Sequence, residues 1–461
     1  MSAGHRVLVV GGGLAGIAAA LDCADTGARV TLVDVRRRLG GAAYSFERDG
    51  LALDNGQHVF LRCCHAYRRL LARLGSERLT SVQPRLAIPV LKPGCPPALL
   101  RRASLPAPFH LAGALARYPH LTHAERAGAA RATLALMRLR PGDPALDRVG
   151  FGEWLARHGQ GPRAIGALWD LIALPALNLP AAQASLALAA FVFRTGLLSQ
   201  PDAGDIGFHE ATLAQTIDEP ARRTLSRAGV RVQLGWRAER VHRTDGGLEV
   251  QGRGSSGEHG EAPDGFSAEA VVVAVPHTRA AALLEPLLGE RARALRALGA
   301  SPIVNLHVVY DRPVCELAFA AGVGTPVQYV FDRTGAAGAP AGWQYLAVSL
   351  SGAEQEMGMS ADALRERYQP ALRELFPRAR EARVERFLVT REHAATFRGV
   401  PGTGALRPGP ATAVPGLVLA GAWTATGWPA TLESAVRSGH AAAEVALQAL
   451  GTSPRAQALA R

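Results

Sequence analysis

Three glycines near the start of the chain have the spacing of a dinucleotide-binding loop. Gly11, Gly13 and Gly16 follow directly after the apolar run Val7 to Val10. Glycine permits a tight turn at the first position, close approach of a pyrophosphate at the second and close helix–strand packing at the third. Asp34 follows roughly 20 residues later, where a carboxylate can bind ribose hydroxyls. The pattern predicts a nucleotide site that begins almost at the first residue.

The elements that position these residues are predicted to form a βαβ unit. Residues 5–10 are predicted as a strand, 14–26 as an alanine-rich helix and 29–33 as a second strand. Further strands are expected at 229–232 with 237–241, and at 270–276. Phosphate charge would then lie at the N-terminus of the first helix, whose dipole and free amides bind anions.

The length of 461 residues exceeds one ordinary core, so two interleaved domains are expected. We predict an α/β, Rossmann-like nucleotide-binding domain and an α+β substrate domain of mixed sheet and helices. The nucleotide-binding domain comprises 1–80, 206–276 and 401–461. The substrate domain comprises 81–205 and 277–400. Within it, helices are predicted around 124–139 and 161–195, and strands at 303–310 and 345–350.

Composition indicates a globular protein, with 48% hydrophobic and 20% charged residues. No apolar run approaches the roughly 18 residues of a membrane span, and the first strand leaves no room for a cleavable signal. We therefore expect a cytoplasmic protein. The net charge of +12 is spread over arginines along the chain, with Lys92 the sole lysine. Because no arginine–aromatic array accompanies it, we predict no nucleic-acid partner.

The five cysteines are Cys23, Cys63, Cys64, Cys95 and Cys315. They form no CxxC pair and no His/Cys cluster at ligand spacing, so we predict neither a metal site nor a disulfide framework. The adjacent Cys63 and Cys64 are interpreted as packing residues, with a redox pair as the alternative.

The pair Gly40-Gly41, which follows Asp34-Val35-Arg36, resembles the second motif of the FAD-containing amine oxidase and carotenoid desaturase superfamily. The strand and turn at 416–423 and a helix predicted over 429–447, with proline at its start, resemble the superfamily segment that closes over the flavin. Its N-terminal amides would stabilise negative charge at flavin N1 and O2, which favours FAD over NAD. The positions that the loop pattern and the resemblance assign to the cofactor are Gly11, Gly13, Leu14, Ala15, Gly16, Asp34, Val35, Arg36, Gly40, Gly41, Ala42, Ala238, Gly421, Ala422, Thr431 and Leu432.

Two features of this segment qualify the resemblance. Ala422 stands where family members commonly carry an acidic residue that holds the ribitol chain, so weaker FAD binding is expected. The last cysteine, Cys315, precedes the segment, so the C-terminal cysteinyl linkage of some amine oxidases has no partner here. We predict non-covalent FAD.

Three stretches narrow the resemblance: Asp54 to Cys64, Ser301 to His307 and Thr424 to Thr431. They are similar to the squalene-associated FAD-dependent desaturases, the hydroxysqualene dehydroxylases. The resemblance implies reductive loss of the hydroxyl of hydroxysqualene to give squalene, ahead of hopanoid or related triterpenoid synthesis. It implies a long-chain triterpene substrate, with upstream squalene-pathway enzymes as further candidate partners; the oligomeric state is not indicated.

The resemblance also places the stretch from Asp54 to His58 beside the flavin ring. His58 is the first candidate acid because an imidazole titrates near neutrality, and Asp54 is the second. Gln57 could orient the leaving oxygen. The alternatives are a hydrogen-bonded core histidine and an aspartate that caps a turn. Trp428 is predicted either to line the substrate cavity, where its π-face would stabilise an allylic cation, or to serve as packing.

The segment 86–115 mixes six prolines with leucines, Phe109 and the cations Lys92, Arg101 and Arg102. Apolar side chains could enter a lipid interface while the cations meet lipid phosphates. Since a C30 substrate must leave lipid, we expect peripheral attachment to an anionic membrane, on its inner face. The alternative is an ordinary proline-rich surface loop.

Three other functions compete with this prediction. An oxidising carotenoid-type desaturase would use the same FAD fold. An amine oxidase commonly places a lysine near flavin N5, whereas Lys92 lies in the proline-rich segment. A non-catalytic prenyl-binding escort protein would have lost the flavin, which the intact glycine loops disfavour.

Overall fold

The computed structural model describes residues 4–140, 142–254 and 263–452. Within them the strands, numbered in chain order, are β1 (Arg6–Val10), β2 (Arg29–Asp34), β3 (Ser45–Arg48), β4 (Leu51–Asp54), β5 (Phe60–Leu61), β6 (Thr80–Val82), β7 (Ala87–Leu91), β8 (Ala98–Arg101), β9 (Ile206–His209), β10 (Arg231–Leu234), β11 (Trp236–Thr244), β12 (Gly247–Gly254), β13 (Gly265–Ala268), β14 (Ala270–Val273), β15 (Ser301–Tyr310), β16 (Phe319–Gly322), β17 (Tyr329–Asp332), β18 (Gln344–Ser351), β19 (Val384–Thr396) and β20 (Leu417–Leu419).

The α-helices of the same residues are α1 (Leu14–Asp25), α2 (His65–Leu74), α3 (Ala112–Arg117), α4 (His123–Met137), α5 (Pro144–Asp147), α6 (Phe151–Arg157), α7 (Pro162–Ala164), α8 (Asp170–Leu177), α9 (Leu186–Phe193), α10 (Glu219–Arg227), α11 (His277–Leu288), α12 (Glu290–Ala294), α13 (Thr334–Ala337), α14 (Glu354–Met357), α15 (Ala361–Leu375), α16 (Thr403–Leu406) and α17 (Leu432–Ala449).

A five-stranded parallel sheet in the order β10-β2-β1-β14-β20 carries the glycine loop. The strands β1 and β14 are almost wholly buried, as expected for a parallel sheet covered on both faces. The helix α1 follows β1 and packs against α17 from the other end of the chain. This confirms the predicted βαβ unit and the α/β class.

Two helix predictions needed correction. The helix predicted over 429–447 begins at Leu432, because the Thr431 side chain accepts from the Ser434 amide and caps it; Pro429 lies before that cap. The helical stretch predicted over 161–195 is interrupted: α7, a π-helical turn at Ile165–Trp169 and α8 form its first part, and α9 forms its second. Asn178 ends α8 in the left-handed conformation, and residues 178–185 separate the two helices.

A seven-stranded mixed sheet in the order β19-β15-β18-β17-β16-β7-β8 is the largest sheet of the described residues. Its strands come from 87–101 and 301–396, inside the segments predicted for the substrate domain. The parallel sheet draws on 6–34, 231–234, 270–273 and 417–419, inside those predicted for the nucleotide domain. The domain division itself stays a prediction, and its ends at 1–3 and 453–461 lie outside the described residues.

The segment 86–115 is a folded part of the large sheet rather than only a surface loop. It contains the antiparallel hairpin of β7 and β8, and its Leu86, Val90 and Leu91 are buried. Leu99, Leu105 and Phe109 remain exposed. Arg102, predicted to meet lipid phosphates, instead binds the buried carboxylate of Asp205, 2.6 Å from its Nε.

No helix among the described residues is long and apolar enough to cross a membrane.

Candidate active site

The glycine loop from Gly11 to Gly16 and the pair Gly40-Gly41 form one cradle at the carboxyl edge of the parallel sheet. The Gly40 amide donates to the Gly12 carbonyl at 2.9 Å, and Gly13 forms a bridge with Gly40. A Cβ at Gly16 would lie 1.8 Å from the Gly11 carbonyl oxygen, so only glycine permits this turn. Gly13 begins α1 without a side-chain cap, so the first amides of α1 remain available to an anion.

Asp34, at the end of β2, is tied to the same cradle. Its two carboxylate oxygens accept from the backbone amides of Gly12 and Arg36, each at 2.6 Å. Burial raises the pKa of Asp34, and these two amides, with Arg38 and Arg36, oppose the rise. The predicted residues of the first and second motifs are therefore brought together.

The turn at Gly421 and Ala422 lies near the cradle because α17, the helix that follows it, packs against α1. Arg407 is a buried residue that the sequence reasoning missed. Its guanidinium donates to the carbonyls of Ala422, Trp423 and Thr424, and to Thr426 Oγ1. Burial lowers the pKa of Arg407 to about 10. This cation binds the peptide carbonyls at the position where the acidic residue is replaced by Ala422.

The stretch from Asn55 to His58 is anchored from two directions. The Asn55 side chain accepts from the Tyr44 amide and donates to the Ala42 carbonyl and to Glu392. The Asn55 carbonyl accepts from Asn305 Nδ2 and Thr390 Oγ1, each at 2.9 Å. The loop is thus bonded both to Ala42, next to the glycine pair, and to β15 and β19.

Asp54 forms a buried ion pair with Arg333, at 3.1 Å between Oδ2 and Nη2. Its other oxygen accepts from Ser45 Oγ and from the Leu213 amide. Arg333 also donates to the carbonyls of His209 and Ala211. Each of these partners of Asp54 is a donor, so both oxygens of the carboxyl group act as acceptors.

His58 is half-buried, and its Nδ1 lies 3.0 Å from the Gly56 carbonyl, to which it donates. That bond leaves Nε2 free. Burial lowers the pKa of His58, while the Gly56 carbonyl, Asp54 and Glu392 oppose the change. Gln57 Nε2 is buried without a hydrogen-bond partner. The predicted trio of His58, Gln57 and Asp54 therefore lies together, with two polar atoms uncommitted.

These three residues line a cavity of about 370 Å³. The polar residues of its lining, called its polar side below, also include His209 and Arg333, and the apolar residues, called its aromatic side, include Phe208, Phe319 and Phe331. The Phe319 and Phe331 rings are stacked with centroids 6.0 Å apart. Such a cavity can hold an apolar chain against aromatic rings with one oxygen at the polar side.

Comparison with known proteins identifies the family of this chain. The model of the flavin-containing amine oxidoreductases matches residues 14–447. A hydroxysqualene dehydroxylase of Rhodopseudomonas palustris is 30% identical, over 96% of this chain and 98% of that protein. Another, from Sinorhizobium fredii, is 27% identical over 97% and 99%. The chain belongs to the flavin-containing amine oxidoreductases, in their hydroxysqualene dehydroxylase branch.

A solved structure supports the fold. Cyclohexylamine oxidase of Brevibacterium oxydans superposes with a TM-score of 0.72 at 17% identity, over 99% of this chain and 100% of that one. The predictions of the superfamily, of an FAD-dependent oxidoreductase and of a flavin cofactor are confirmed.

The residues of this flavoprotein fit an FAD. The uncapped start of α1 and the glycine cradle would hold the pyrophosphate, and Asp34 the ribose. Thr431 caps α17 with its side chain, and the Ser434 hydroxyl donates to the Ala422 carbonyl, so the start of α17 lies beside the turn at Gly421 and Ala422. Arg38 donates to the Gly41 carbonyl at 2.8 Å, and its guanidinium lies 3.5 Å from the centre of the Tyr44 ring. It is a further cation at the glycine pair.

Three predicted contacts are less closely tied to this cradle. Val35 is an exposed side chain, so its backbone would be the contacting part. Ala238 lies in β11 at a bulge in the pairing with β12. Trp428 contacts the Phe191 ring edge-on at 4.9 Å, and the Arg437 guanidinium lies 5.0 Å over its ring. One face of the Trp428 ring is therefore already covered by a cation, and a substrate contact of this ring stays a prediction.

The sequence reasoning missed three residues of the site: His209, Arg333 and Arg407. The chain distance of Arg333 from Asp54 is 279 residues, and no local motif marks it. Arg333 directly follows β17. An arginine in such a position can be recognised as part of the site only once the strands are placed. No cluster of three or more His, Cys, Asp or Glu in the described part of the chain has metal-binding geometry.

Proposed function

We propose that this chain reductively removes the hydroxyl of hydroxysqualene and yields squalene, with FAD bound non-covalently. The cavity beside Gln57 and His58 is the observation that carries this proposal. Its polar side suits a hydroxyl group, and its aromatic side suits an isoprenoid chain. The cavity volume lies low in the roughly 300–1,000 Å³ range of small-molecule pockets, so it fits the hydroxylated end of a C30 chain.

The reaction replaces a C–O bond with a C–H bond, consumes one proton and one hydride, and releases water. Reduced flavin supplies the hydride when bound. His58 protonates the leaving oxygen through its free Nε2, and Gln57 Nε2 donates to the same oxygen. The Asp54 carboxylate, paired with Arg333, lies close enough to stabilise the protonated imidazole of His58.

The aromatic side of the cavity has a second role in this proposal. Loss of water from an allylic alcohol leaves a delocalised cation. The rings of Phe208, Phe319 and Phe331 can attract a cation through their quadrupoles and exclude water from it. These rings would therefore favour hydride capture over addition of water.

Anaerobic product analysis tests the reaction. Protein reduced with dithionite is mixed with hydroxysqualene, and the extract is analysed for squalene by gas chromatography. Formation of squalene in proportion to flavin is expected. Absence of squalene, together with desaturation of phytoene by the oxidised protein, would establish a carotenoid-type desaturase instead. Colourless protein that takes up no added FAD would establish the escort function.

We further propose that the exposed part of 86–115 docks on an anionic membrane surface, at the cytoplasmic inner face. Leu99, Leu105 and Phe109 are 53%, 50% and 64% exposed. They are three of the most exposed large apolar residues of the described chain, and Lys92 and Arg101 belong to the same segment. Burying each such side chain in a lipid interface is worth about 1.5–3 kcal/mol, and the cations add attraction to anionic lipids.

Co-sedimentation with vesicles tests this docking. Leu105→Ser with Phe109→Ser should weaken binding to phosphatidylglycerol-containing vesicles by roughly tenfold or more. Leu406→Ser is the matched control, because Leu406 is also exposed but lies in α16. Equal binding by both variants would contradict the proposal.

A further inference from the structure

His209 is a buried histidine on the cavity wall with no role in the proposed proton transfer. It ends β9 and is 4% exposed. Its ring makes edge contacts with Phe60 and Tyr67, at centroid distances of 5.8 and 6.1 Å, and its carbonyl accepts from Arg333. The ring is therefore held in one orientation before any ligand enters.

The hydrogen bonds of His209 determine its tautomer. Nε2 lies 3.1 Å from the Tyr67 hydroxyl, and Nδ1 is buried without a partner. If Tyr67 donates to Nε2, the only unsatisfied group is the Nδ1–H. If Nε2 donates instead, both the Tyr67 O–H and the Nδ1 lone pair lack partners. Because each unsatisfied buried group is costly, the tautomer with Nδ1–H is favoured.

Two donors without partners therefore occur among the residues that line one cavity: His209 Nδ1–H and Gln57 Nε2. A hydroxyl oxygen has two lone pairs, so in the bound alcohol it can accept from both donors, and it releases one of them when it takes the proton of His58. We propose that His209 binds the hydroxyl oxygen of the substrate through Nδ1–H and thereby selects a hydroxylated chain over the hydrocarbon product. This rests on the proposed function and assigns the specificity of the same site.

The surroundings of His209 separate its role from that of His58. Burial lowers the pKa of His209 to about 3, with smaller contributions from the neighbouring His58 and Arg333. The ring stays neutral at ordinary pH, so it donates a hydrogen bond without releasing its proton. His58 remains the acid. A neutral donor to the leaving oxygen also avoids placing a second cation beside the forming carbocation.

The selectivity follows from what happens after the reaction. Squalene has no oxygen, so its entry would leave both donors buried and unpaired. Sites built to bind a substrate hydroxyl reject the analogue that lacks it for this reason. The product is thus bound less tightly than the substrate, which favours its release.

Binding to the oxidised holoenzyme, where no turnover occurs, tests the proposal. The dissociation constants of hydroxysqualene and squalene are measured from changes in the flavin absorption spectrum, in one defined detergent. His209→Phe keeps an aromatic ring but loses the donor. It should reduce the ratio of the squalene dissociation constant to the hydroxysqualene dissociation constant by about tenfold or more. His209→Asn places an amide donor near Nδ1 and should keep more of the ratio.

Tyr67→Phe provides a second variant that leaves the imidazole in place. Without the Tyr67 hydroxyl, the proton of His209 is no longer held on Nδ1, so the ratio should fall by about threefold or more. A wild-type ratio in His209→Phe, or equal losses in His209→Phe and His209→Asn, would overturn the proposal. If His209→Phe does not fold, an unchanged ratio in Tyr67→Phe overturns it instead. Failure of the wild-type protein to form squalene anaerobically would instead overturn the proposed function. FAD content and the melting temperature are recorded for each variant.

Discussion

The ion pair of Asp54 and Arg333 gives the sharpest stability test of the site. The two side chains are 5% and 12% exposed. Asp54→Asn is the chosen perturbation, because Ser45 Oγ and the Leu213 amide both donate to Oδ1, which the amide oxygen can replace. The new NH₂ group would then face the Arg333 guanidinium, donor against donor.

The magnitude follows from the burial of the pair. Removing one partner of a buried ion pair costs about 3–5 kcal/mol, because the other charge is left uncompensated. The carbonyls of His209 and Ala211 still accept from Arg333, so the lower part of that range, about 3 kcal/mol, is expected for Asp54→Asn. Arg333→Met, which also leaves both carbonyls without this donor, should reach about 4–5 kcal/mol.

The double variant Asp54→Asn with Arg333→Met removes both charges at nearly constant volume. It should be more stable than the sum of the single effects predicts, by at least about 2 kcal/mol. Urea unfolding of FAD-saturated protein, followed by tryptophan fluorescence, measures all four forms. Arg378→Met is the control, since the pair of Arg378 and Glu316 is exposed and should contribute less than about 1 kcal/mol. Additive effects, or a loss below 1 kcal/mol in Asp54→Asn, would refute the reasoning.

Three other predictions concern the cofactor, the acid and pH. Gly16→Ala should yield protein without flavin, because its Cβ would collide with the Gly11 carbonyl, whereas Gly335→Ala has open space and should bind FAD normally; the flavin-to-protein absorbance ratio decides. His58→Ala should lower kcat by about 10²–10⁴-fold. In the wild type, kcat/KM should fall as pH rises through the pKa of His58, which burial places below 6.5; that limb should vanish in the variant, and unchanged turnover would remove His58 from the mechanism. The folded pKa of His209, about 3, lies below its unfolded value near 6.5. The unfolded chain therefore binds more protons between these values, and stability is lost as pH falls. From pH 7 to 5 the loss is about 2 kcal/mol, so His209→Asn should flatten the pH dependence of the urea midpoint; an unchanged slope would contradict the neutral assignment.

The nucleotide-binding half was predictable because its signals are local. The turn at Gly11 and Gly16, the strand before it and Asp34 after it lie within one βαβ unit. The backbone conformation that this unit needs restricts the residue type at each glycine. Elements with a clear period were also found, such as β15 and β18. Boundaries set by side-chain caps, such as Thr431 at the start of α17, were shifted by a few residues.

The cavity was only partly predictable, since its walls come from distant parts of the chain. Gln57 and His58 were identified through a family resemblance, whereas His209 and Arg333 carry no local pattern. Their roles arise from β9 and β17 meeting the loop after β4. The segment 86–115 was predicted to contact a membrane, with a proline-rich surface loop as the alternative, and its strands were not foreseen. The strands β7 and β8 are held in the large sheet by pairing and by buried leucines, which override local propensity.

The anchoring of Asn55 connects the cofactor cradle with the chemistry of the cavity. Tyr345 can donate to His307 Nδ1, His307 Nε2 to Thr390, and Thr390 to the Asn55 carbonyl, in one directed chain. The Asn55 side chain meanwhile binds Ala42, next to the glycine pair. A displacement of the glycine pair would therefore move the peptide that carries Gln57 and His58. Because the same peptide is bonded to the cradle and to the large sheet, the proton donor should keep a fixed position relative to the flavin while different substrate chains enter.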